Sequence, residues 1–286
     1  MIRLSEHLLV ETNFMWANVG AAVTESGILL LDCPVRPTDS QKWQQEVGSL
    51  SPLGVKFLIS TDFHGDHVTG ASFVDNVTFI APRMVYDHIL RTGGRDAFSK
   101  QIFTDTLRDQ GHLDEAELIE KAVVPLPQIC FDDSLYLYLP PLTFEIRRFG
   151  GHTPACSVVY IPEEKVIFAG DIVIESPCPG MRDANIDDWL RALEWIEGLP
   201  VDRIVPGHGN IGGKEILNQL GSYLTDIREN MITLVKTGLE KHEAVADKSF
   251  DRFFTADTTS GAYWAKQREQ TFREGLEKLY EDIRGN

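Results

Sequence analysis

STDFHGDHVTG, residues 60–70, follows directly on the apolar run VKFLI and places two Asp and two His within the six positions from Asp62 to His67. The run before it is short, rich in β-branched and aromatic residues, and reads as a strand buried on both faces. The residue types at its end are those that bind metal ions. In an extended segment, residues two apart point to the same side, so Asp62 and His64 face one point. If a helix begins near Asp66, that residue and His67 leave its first turn in another direction. One short loop then serves two ions.

Working outward, HLLVET and FMWANVGAAV read as strands, TESG as a turn and ILLLD as a further buried strand. A helix is expected from about Pro37 to Val47, and VTFIAP is another strand. Between Met84 and Ala122 the pattern is helical and polar, with Phe98, Ile102 and Phe103 forming a weak apolar stripe on an inserted cover. Strands then resume: LYLYL and LTFEIRRF on either side of Pro140-Pro141, and SVVYI and KVIFAGD around the turn residues Pro162 to Glu164. Ile186, Trp189, Leu190, Leu193 and Ile196 fall at helical spacing, with Asn185 as N-cap and Gly198 as the stop. DRIVPGHG is a last strand and loop, and the chain from Lys214 onward is helical. This order predicts two strand-rich halves, each followed by helix, rather than independent domains.

Three further candidate ligands lie far from the loop in sequence: His152 in GGHTPA, Asp171 in KVIFAGD and His208 in VPGHGN. Each ends or follows an apolar strand with Gly nearby, where backbone turns sharply. Singly, each has an ordinary explanation, since H-x-x-H recurs by chance and an Asp after a strand caps turns. Asp32, which ends ILLLD, reads as structural, and His7, His88, His112 and His242 are assigned no role. Seven ligand-type residues at strand ends are hard to explain as packing. Together they indicate a metal site.

The set T-D-F-H-G-D-H, G-G-H-T-P, F-A-G-D and P-G-H-G resembles the metallo-β-lactamase superfamily, whose first motif normally reads H-x-H-x-D-H. Within it, the wording GGHTPACSVVYIPEEKVIFAGD is most similar to glyoxalase II-like and sulfur-oxidation-associated hydrolases. The resemblance implies an α/β fold, an αββα sandwich with two sheets back to back and the site at their shared edge. A catalytic core over 1–212, with a helical insertion at about 84–122, and a helical extension over 213–286 follow from it. It implies that Asp62, His64 and His152 hold a first ion, that Asp66, His67 and His208 hold a second, and that Asp171 bridges them. One or two divalent ions are expected, zinc first, with iron or manganese as alternatives.

Asp62 departs from the family motif, which has His there. A carboxylate still ligates zinc but is a harder, negatively charged donor. Two divalent ions against Asp62, Asp66, Asp171 and one hydroxide sum to about zero, where the usual His would leave roughly one positive charge. If Asp62 instead accepts hydrogen bonds from neighbours, only the Asp66, His67, His208 set holds metal tightly. The implied function is a hydrolase in which hydroxide held by the metals, oriented by Asp66, cleaves an ester, thioester, lactone or amide, including a β-lactam. The alternatives are a mononuclear iron enzyme of the persulfide dioxygenase kind and a non-catalytic scaffold with a degenerate first site. Ser60 and Thr61 are expected to brace the loop, and Cys156 to serve packing.

Composition bounds the partners. The chain has 286 residues, 43% of them hydrophobic, enough for a large core. A net charge of −16 removes the basic footprint that nucleic acid or an anionic membrane requires. Four scattered cysteines without a C-x-x-C pair suggest neither a disulfide framework nor a thiolate zinc site. With no apolar run long enough to span a bilayer and no signal-peptide pattern at the start, a cytoplasmic location and a small-molecule substrate are expected.

Overall fold

The computed structural model describes residues 1–176, 178–253 and 261–285, with the backbone alone over 261–268. The first sheet is built from β1 (Ile2–Arg3), β2 (Leu8–Glu11), β3 (Val19–Thr24), β4 (Gly27–Leu31), β5 (Val55–Ile59), β6 (Thr78–Pro82) and β7 (Ile129–Phe131). These lie side by side in chain order, antiparallel from β1 to β4 and parallel from β4 to β7. The second sheet holds β8 (Ser134–Leu139), β9 (Leu142–Arg148), β10 (Ser157–Ile161), β11 (Val166–Ile174) and β12 (Arg203–His208). It runs β12-β11-β10-β9-β8, antiparallel except where β11 and β12 lie parallel.

Period-two alternation explains why ILLL is apolar at every position. Leu29 and Leu31 of β4 point between the sheets, where they join Val10, Ile59, Ile80, Phe144, Val159 and Phe168. Ile28 and Leu30 point the other way, into a layer with Trp43, Val47, Val85 and Ile89. Those four come from α1 (Pro37–Gly48) and, beyond the short α2 (Gly65–Val68), from α3 (Arg83–Thr92). On the second sheet, Val158, Ile167 and Ile204 face helices through Trp189, Leu224, Ile227 and Leu276. The result is four layers, helix, sheet, sheet, helix, as the family resemblance implies.

Of the segment 84–122 expected to be an inserted cover, the first part is α3, packed in the outer layer of the first sheet, and the rest forms α4 (Ala97–Asp109) and α5 (Leu113–Lys121), which pack on each other through Phe103, Leu107, Ala116 and Ile119. Arg36 Nε donates to Glu115 Oε2 at 2.7 Å and Thr38 Oγ1 to Glu115 Oε1 at 2.6 Å, tying α5 to the approach of α1. The outer face of the second sheet carries α6 (Ile186–Glu197), α7 (Glu215–Lys236), the short α8 (Lys241–Val245) and α9 (Gly261–Gly285). Asn185 caps α6 as expected, its side chain accepting from Asp188 N at 2.9 Å. Among the described residues no helix is long and apolar enough to cross a membrane.

A strand expectation also needs correction. FMWANVGAAV is not one strand: pairing begins only at Val19, and residues 14–18 form a loop with Trp16 at φ 77°. The aromatic side chains there serve tertiary packing, Phe14 meeting the edge of Trp43 and Trp16 the edge of Phe103, with ring centroids 6.1 and 4.7 Å apart. The short strand β7, which the sequence reading did not assign, pairs with β6 only over Ile129–Phe131.

The sheets approach closely where Gly20 of β3 faces Phe168 of β11; a Cβ at residue 20 would lie 2.2 Å from the Phe168 ring. Gly20→Ala should therefore lower stability by about 1–3 kcal/mol through overpacking. Combining it with Phe168→Leu should cost less than the sum of the two single changes. Urea unfolding of the three variants reads this directly, and strict additivity would rule out the steric origin.

Candidate metal centre

The ligand-type residues converge because β5 of the first sheet and β11 and β12 of the second carry them to one side of the sandwich. Asp62, His64, Asp66 and His67 occupy the loop after β5 and the first turn of α2, Asp171 lies within β11, and His208 ends β12. His152 sits between β9 and β10. One oxygen or nitrogen from each of Asp62, His64, His152 and Asp171 lies within 4.8 Å of the others, and the same holds for Asp66, His67 and His208. The structure thus brings all seven predicted residues into two adjoining clusters.

Asp171 joins them. Its Oδ2 is 3.3 Å from His152 Nε2, while its Oδ1 is 3.1 Å from His67 Nε2 and 3.3 Å from His208 Nε2. Nε2 of His67 and Oδ1 of Asp171 are fully buried without a hydrogen-bond partner. Buried polar atoms are rarely left so, and imidazoles with carboxylates at this spacing suit a divalent transition ion. The donor set fits the metal that the sequence implies. Gly207 makes room for the carboxylate, since a Cβ there would fall 2.0 Å from Asp171 Oδ1.

Asp62 differs from the other carboxylates. It is completely buried, and its Oδ1 accepts from Phe63 N at 2.6 Å and from the Thr153 hydroxyl. Its Oδ2 accepts from the Cys156 thiol at 3.1 Å and stands 3.9 Å from His64 Nδ1. Cys156 is thus next to the site rather than simply core packing, and burial beside Asp62 pushes its thiol pKa well up. Hydrogen bonds to both oxygens lessen the electron density Asp62 has to offer a cation.

Several site residues escaped the sequence reading. Asp32, at φ 54°, accepts from Thr61 N at 2.8 Å, Thr61 Oγ1 at 2.7 Å and His67 Nδ1 at 2.9 Å. It does more than end a strand, since it fixes the ring of His67. Ser60 braces the same turn as expected, its hydroxyl donating to His67 O at 3.0 Å. Asn18 donates from its side chain to Pro206 O and Gly209 O, both at 2.9 Å, holding the loop of His208 against the first sheet. His88 stacks on Phe63 with ring centroids 4.7 Å apart, so it touches the ligand loop. Asp183 meets His64, with Oδ2 3.1 Å from Nε2. Only the placement of Asp32 at the end of an apolar strand gave a signal; the others are partners across long sequence separations.

Above the clusters lies a cleft of about 240 Å³ whose walls include Trp16, Phe98, Ile102, Phe103 and Met181, with His64, Asp66 and His152 on its floor. The cover helix α4 rests directly on α2: a Cβ at Gly65 would meet the Ser99 side chain at 2.3 Å. The cover and one residue of α9, Thr271, therefore border the cleft. A larger groove of about 420 Å³ between α6 and α7 contains none of the ligand-type residues.

Without metal, imidazolium groups balance the carboxylates. Burial alone would depress His208, but Asp171 and Asp66 raise it to about 10. His67 is likewise opposed by burial yet raised well above its usual range by Asp171, Asp32 and Asp66. Burial disfavours the Asp66 and Asp171 carboxylates, but the same imidazoles hold both well below the usual carboxylate range. A raised histidine pKa stabilises the fold fully below the unfolded value of 6.5 and ceases to do so as pH rises through the folded one. Metal-free protein should therefore lose stability between about pH 6.5 and 10, a decline flattened by His208→Asn. Because a metal needs neutral imidazole, its uptake at pH 7 should release protons. Chemical unfolding across pH, and calorimetry in buffers of different ionisation enthalpy, measure these effects; a flat profile with no proton release would contradict them.

A sequence model of the metallo-beta-lactamase superfamily matches residues 17–208, more than half of the chain. A metallo-beta-lactamase type 2 of Bacteroides fragilis is 24% identical over 194 residues, covering 66% of this chain and 67% of that protein. A linear primary-alkylsulfatase of Pseudomonas sp. is 22% identical over 256 residues, 77% of this chain but only 47% of the relative. Among solved structures, a metallo-beta-lactamase from Pontibacter korlensis superposes with TM-score 0.63 at 18% identity, over 78% of this chain and 97% of the other. A metallo-beta-lactamase family protein of Thermus thermophilus gives 0.66 at 18% identity over 98% and 95%. With a family match that begins in the loop before β3 and ends on His208, on a fold shared from end to end with a solved member, the chain belongs to the metallo-β-lactamase superfamily.

Proposed function

We propose that the protein is a metal-dependent hydrolase of a small ester, thioester, lactone or amide, with the β-lactam as one form of the last. The observation that carries this reading is Asp171, a buried carboxylate with one oxygen toward each of two donor clusters. Asp62, His64 and His152 would hold a first ion, Asp66, His67 and His208 a second, and Asp171 both. Zinc suits the mixed imidazole and carboxylate donors, and bound ions would supply an activated water and a Lewis acid.

The chain's own residues do the rest. The apolar walls of the cleft hold the non-reacting part of the substrate and exclude water. Asp66, on the cleft floor, orients the attacking water and takes its proton. Oxygen from water bonds to the carbonyl carbon, the acyl bond to oxygen, sulfur or nitrogen breaks, and the proton passes to the leaving atom. Residues 1–212 form the catalytic core in this reading. The insertion and the helices of 213–286 shape access to it, with Phe98, Ile102 and Thr271 as their representatives at the cleft. A small-molecule substrate and a cytoplasmic location accord with the acidic surface.

A second reading rests on the Asp66, His67, His208 cluster alone, since two imidazoles and one carboxylate form the donor set of mononuclear iron oxygenases. Elemental analysis after expression separates the two, because an iron enzyme of the persulfide dioxygenase kind would carry one iron and consume oxygen. A non-catalytic scaffold would show neither turnover nor a rate that depends on metal.

Asp66→Asn should keep the fold while lowering turnover by about 10² to 10⁴, as loss of a proton-handling group does. His242→Ala, an exposed histidine far in sequence from both clusters, should change it less than twofold. Metal content, melting temperature and turnover on chromogenic esters and a chromogenic β-lactam decide the matter; unimpaired turnover by metal-loaded Asp66→Asn would sink the mechanism. Asp62→His, which restores the family motif, should lower the melting temperature, because Thr153 and Cys156 lose their buried acceptor.

A further inference from the structure

The two clusters differ in what stands behind their imidazoles. His67 gives its Nδ1 proton to Asp32 and turns Nε2 toward Asp171. His64 has the opposite arrangement: its Nε2 meets Asp183 Oδ2 at 3.1 Å, and its Nδ1 lies 3.1 Å from His152 Nε2 and 3.9 Å from Asp62 Oδ2. An ionised carboxylate only accepts, so the proton of neutral His64 resides on Nε2 and the Nδ1 lone pair points into the first cluster, where His152 Nε2 is its neighbour. Asp183 is itself moored, since Arg182 Nε is 3.1 Å from the same oxygen and the guanidinium lies over the Phe98 ring at 4.3 Å.

The first cluster needs this support more than the second does. Both oxygens of Asp62 already accept hydrogen bonds, and the buried Nδ1 on the far side of the His152 ring has no hydrogen-bond partner to hold it. His64 is the imidazole of that cluster with a carboxylate behind it. We propose that Asp183 is a positioning residue that fixes the tautomer and ring plane of His64 and so sets the affinity of the first ion, separately from the second. The inference rests on the two-cluster reading above. It assigns the segment between β11 and α6 a double duty, since Gly180, Met181, Arg182 and Asp183 also line the cleft. A substrate that disturbs this wall thereby alters a ligand of the first ion.

The test is stepwise zinc binding to metal-free protein, in competition with a chromophoric chelator, combined with nitrogen NMR of the histidine side chains in the zinc-loaded form. Asp183→Ala should weaken the first ion by about 10- to 100-fold while leaving the second within twofold, the usual scale for loss of an outer hydrogen bond to a ligating histidine. Asp183→Asn, which keeps an acceptor but not the charge, should lie between Ala and wild type, and Arg182→Gln should have a smaller effect in the same direction. The His64 Nε2–H signal, sharp in the wild type, should broaden in Asp183→Ala. Asp187→Asn, a surface carboxylate paired with Arg228, is the control and should match wild type. Two ions bound to wild type and an unchanged first affinity in Asp183→Ala would overturn this inference alone. Equal weakening of both ions with a lowered melting temperature would reduce Asp183 to a structural role. No zinc bound by wild type would overturn the two-cluster reading and this inference with it.

Discussion

Four buried or half-buried carboxylates, Asp32, Asp62, Asp66 and Asp171, stand within one small volume, and the structure is organised around their mutual repulsion. Like charges out of water are costly unless cations or donors compensate them. Three kinds of compensation are present. His67 and His208 carry protons for Asp66 and Asp171, Thr61 donates twice to Asp32, and Phe63, Thr153 and Cys156 donate to Asp62. A divalent ion would replace the protons on the imidazoles but leave the donors of Asp62 and Asp32 in place. In metal-free protein the protonated histidines would take the place of the ion as the compensating charge.

Much of this was legible in the sequence. Period two in ILLLD and VKFLI, the turn residues between SVVYI and KVIFAGD, and the spacing of Ile186, Trp189 and Leu193 specify elements through local packing, and the structure shows them in those places. The ligand-type residues were visible because strand ends announce themselves by composition. What stayed hidden was pairing across distance. Nothing near Asp183 in the chain says that it lies against His64, 119 positions away, and Asn18 gives no local sign that it holds the loop of His208. FMWANVGAAV failed for a related reason: its aromatics satisfy a strand pattern but are used by the α1 layer and the cover.

Asp62 gains a different meaning from its surroundings. Read from the motif, it is a histidine replaced; in the fold, it is the acceptor that Thr153 and Cys156 require. The hydroxyl of Thr153 also accepts from Ala155 N at 3.1 Å, so the carboxylate helps to shape the turn that carries His152. A change at residue 62 therefore reaches the opposite sheet. This is why the motif difference cannot be treated as a single-site substitution.

The seat of the cover on the ligand loop has a consequence for how the protein can change. With Ser99 lying where any side chain at residue 65 would need to go, the distance between cover and ligand loop is set by the absence of one methyl group. The exposed side of α4 and the tips of the α4–α5 hairpin are free to vary in sequence, giving new cleft walls without disturbing the candidate ligands. Lengthening or tilting α4 at its first turn is not equally free, since that turn presses on the peptide just before Asp66. Diversification of such a cover should proceed by exchanging side chains along a fixed axis, with Gly65 as the hinge pin that every variant must keep.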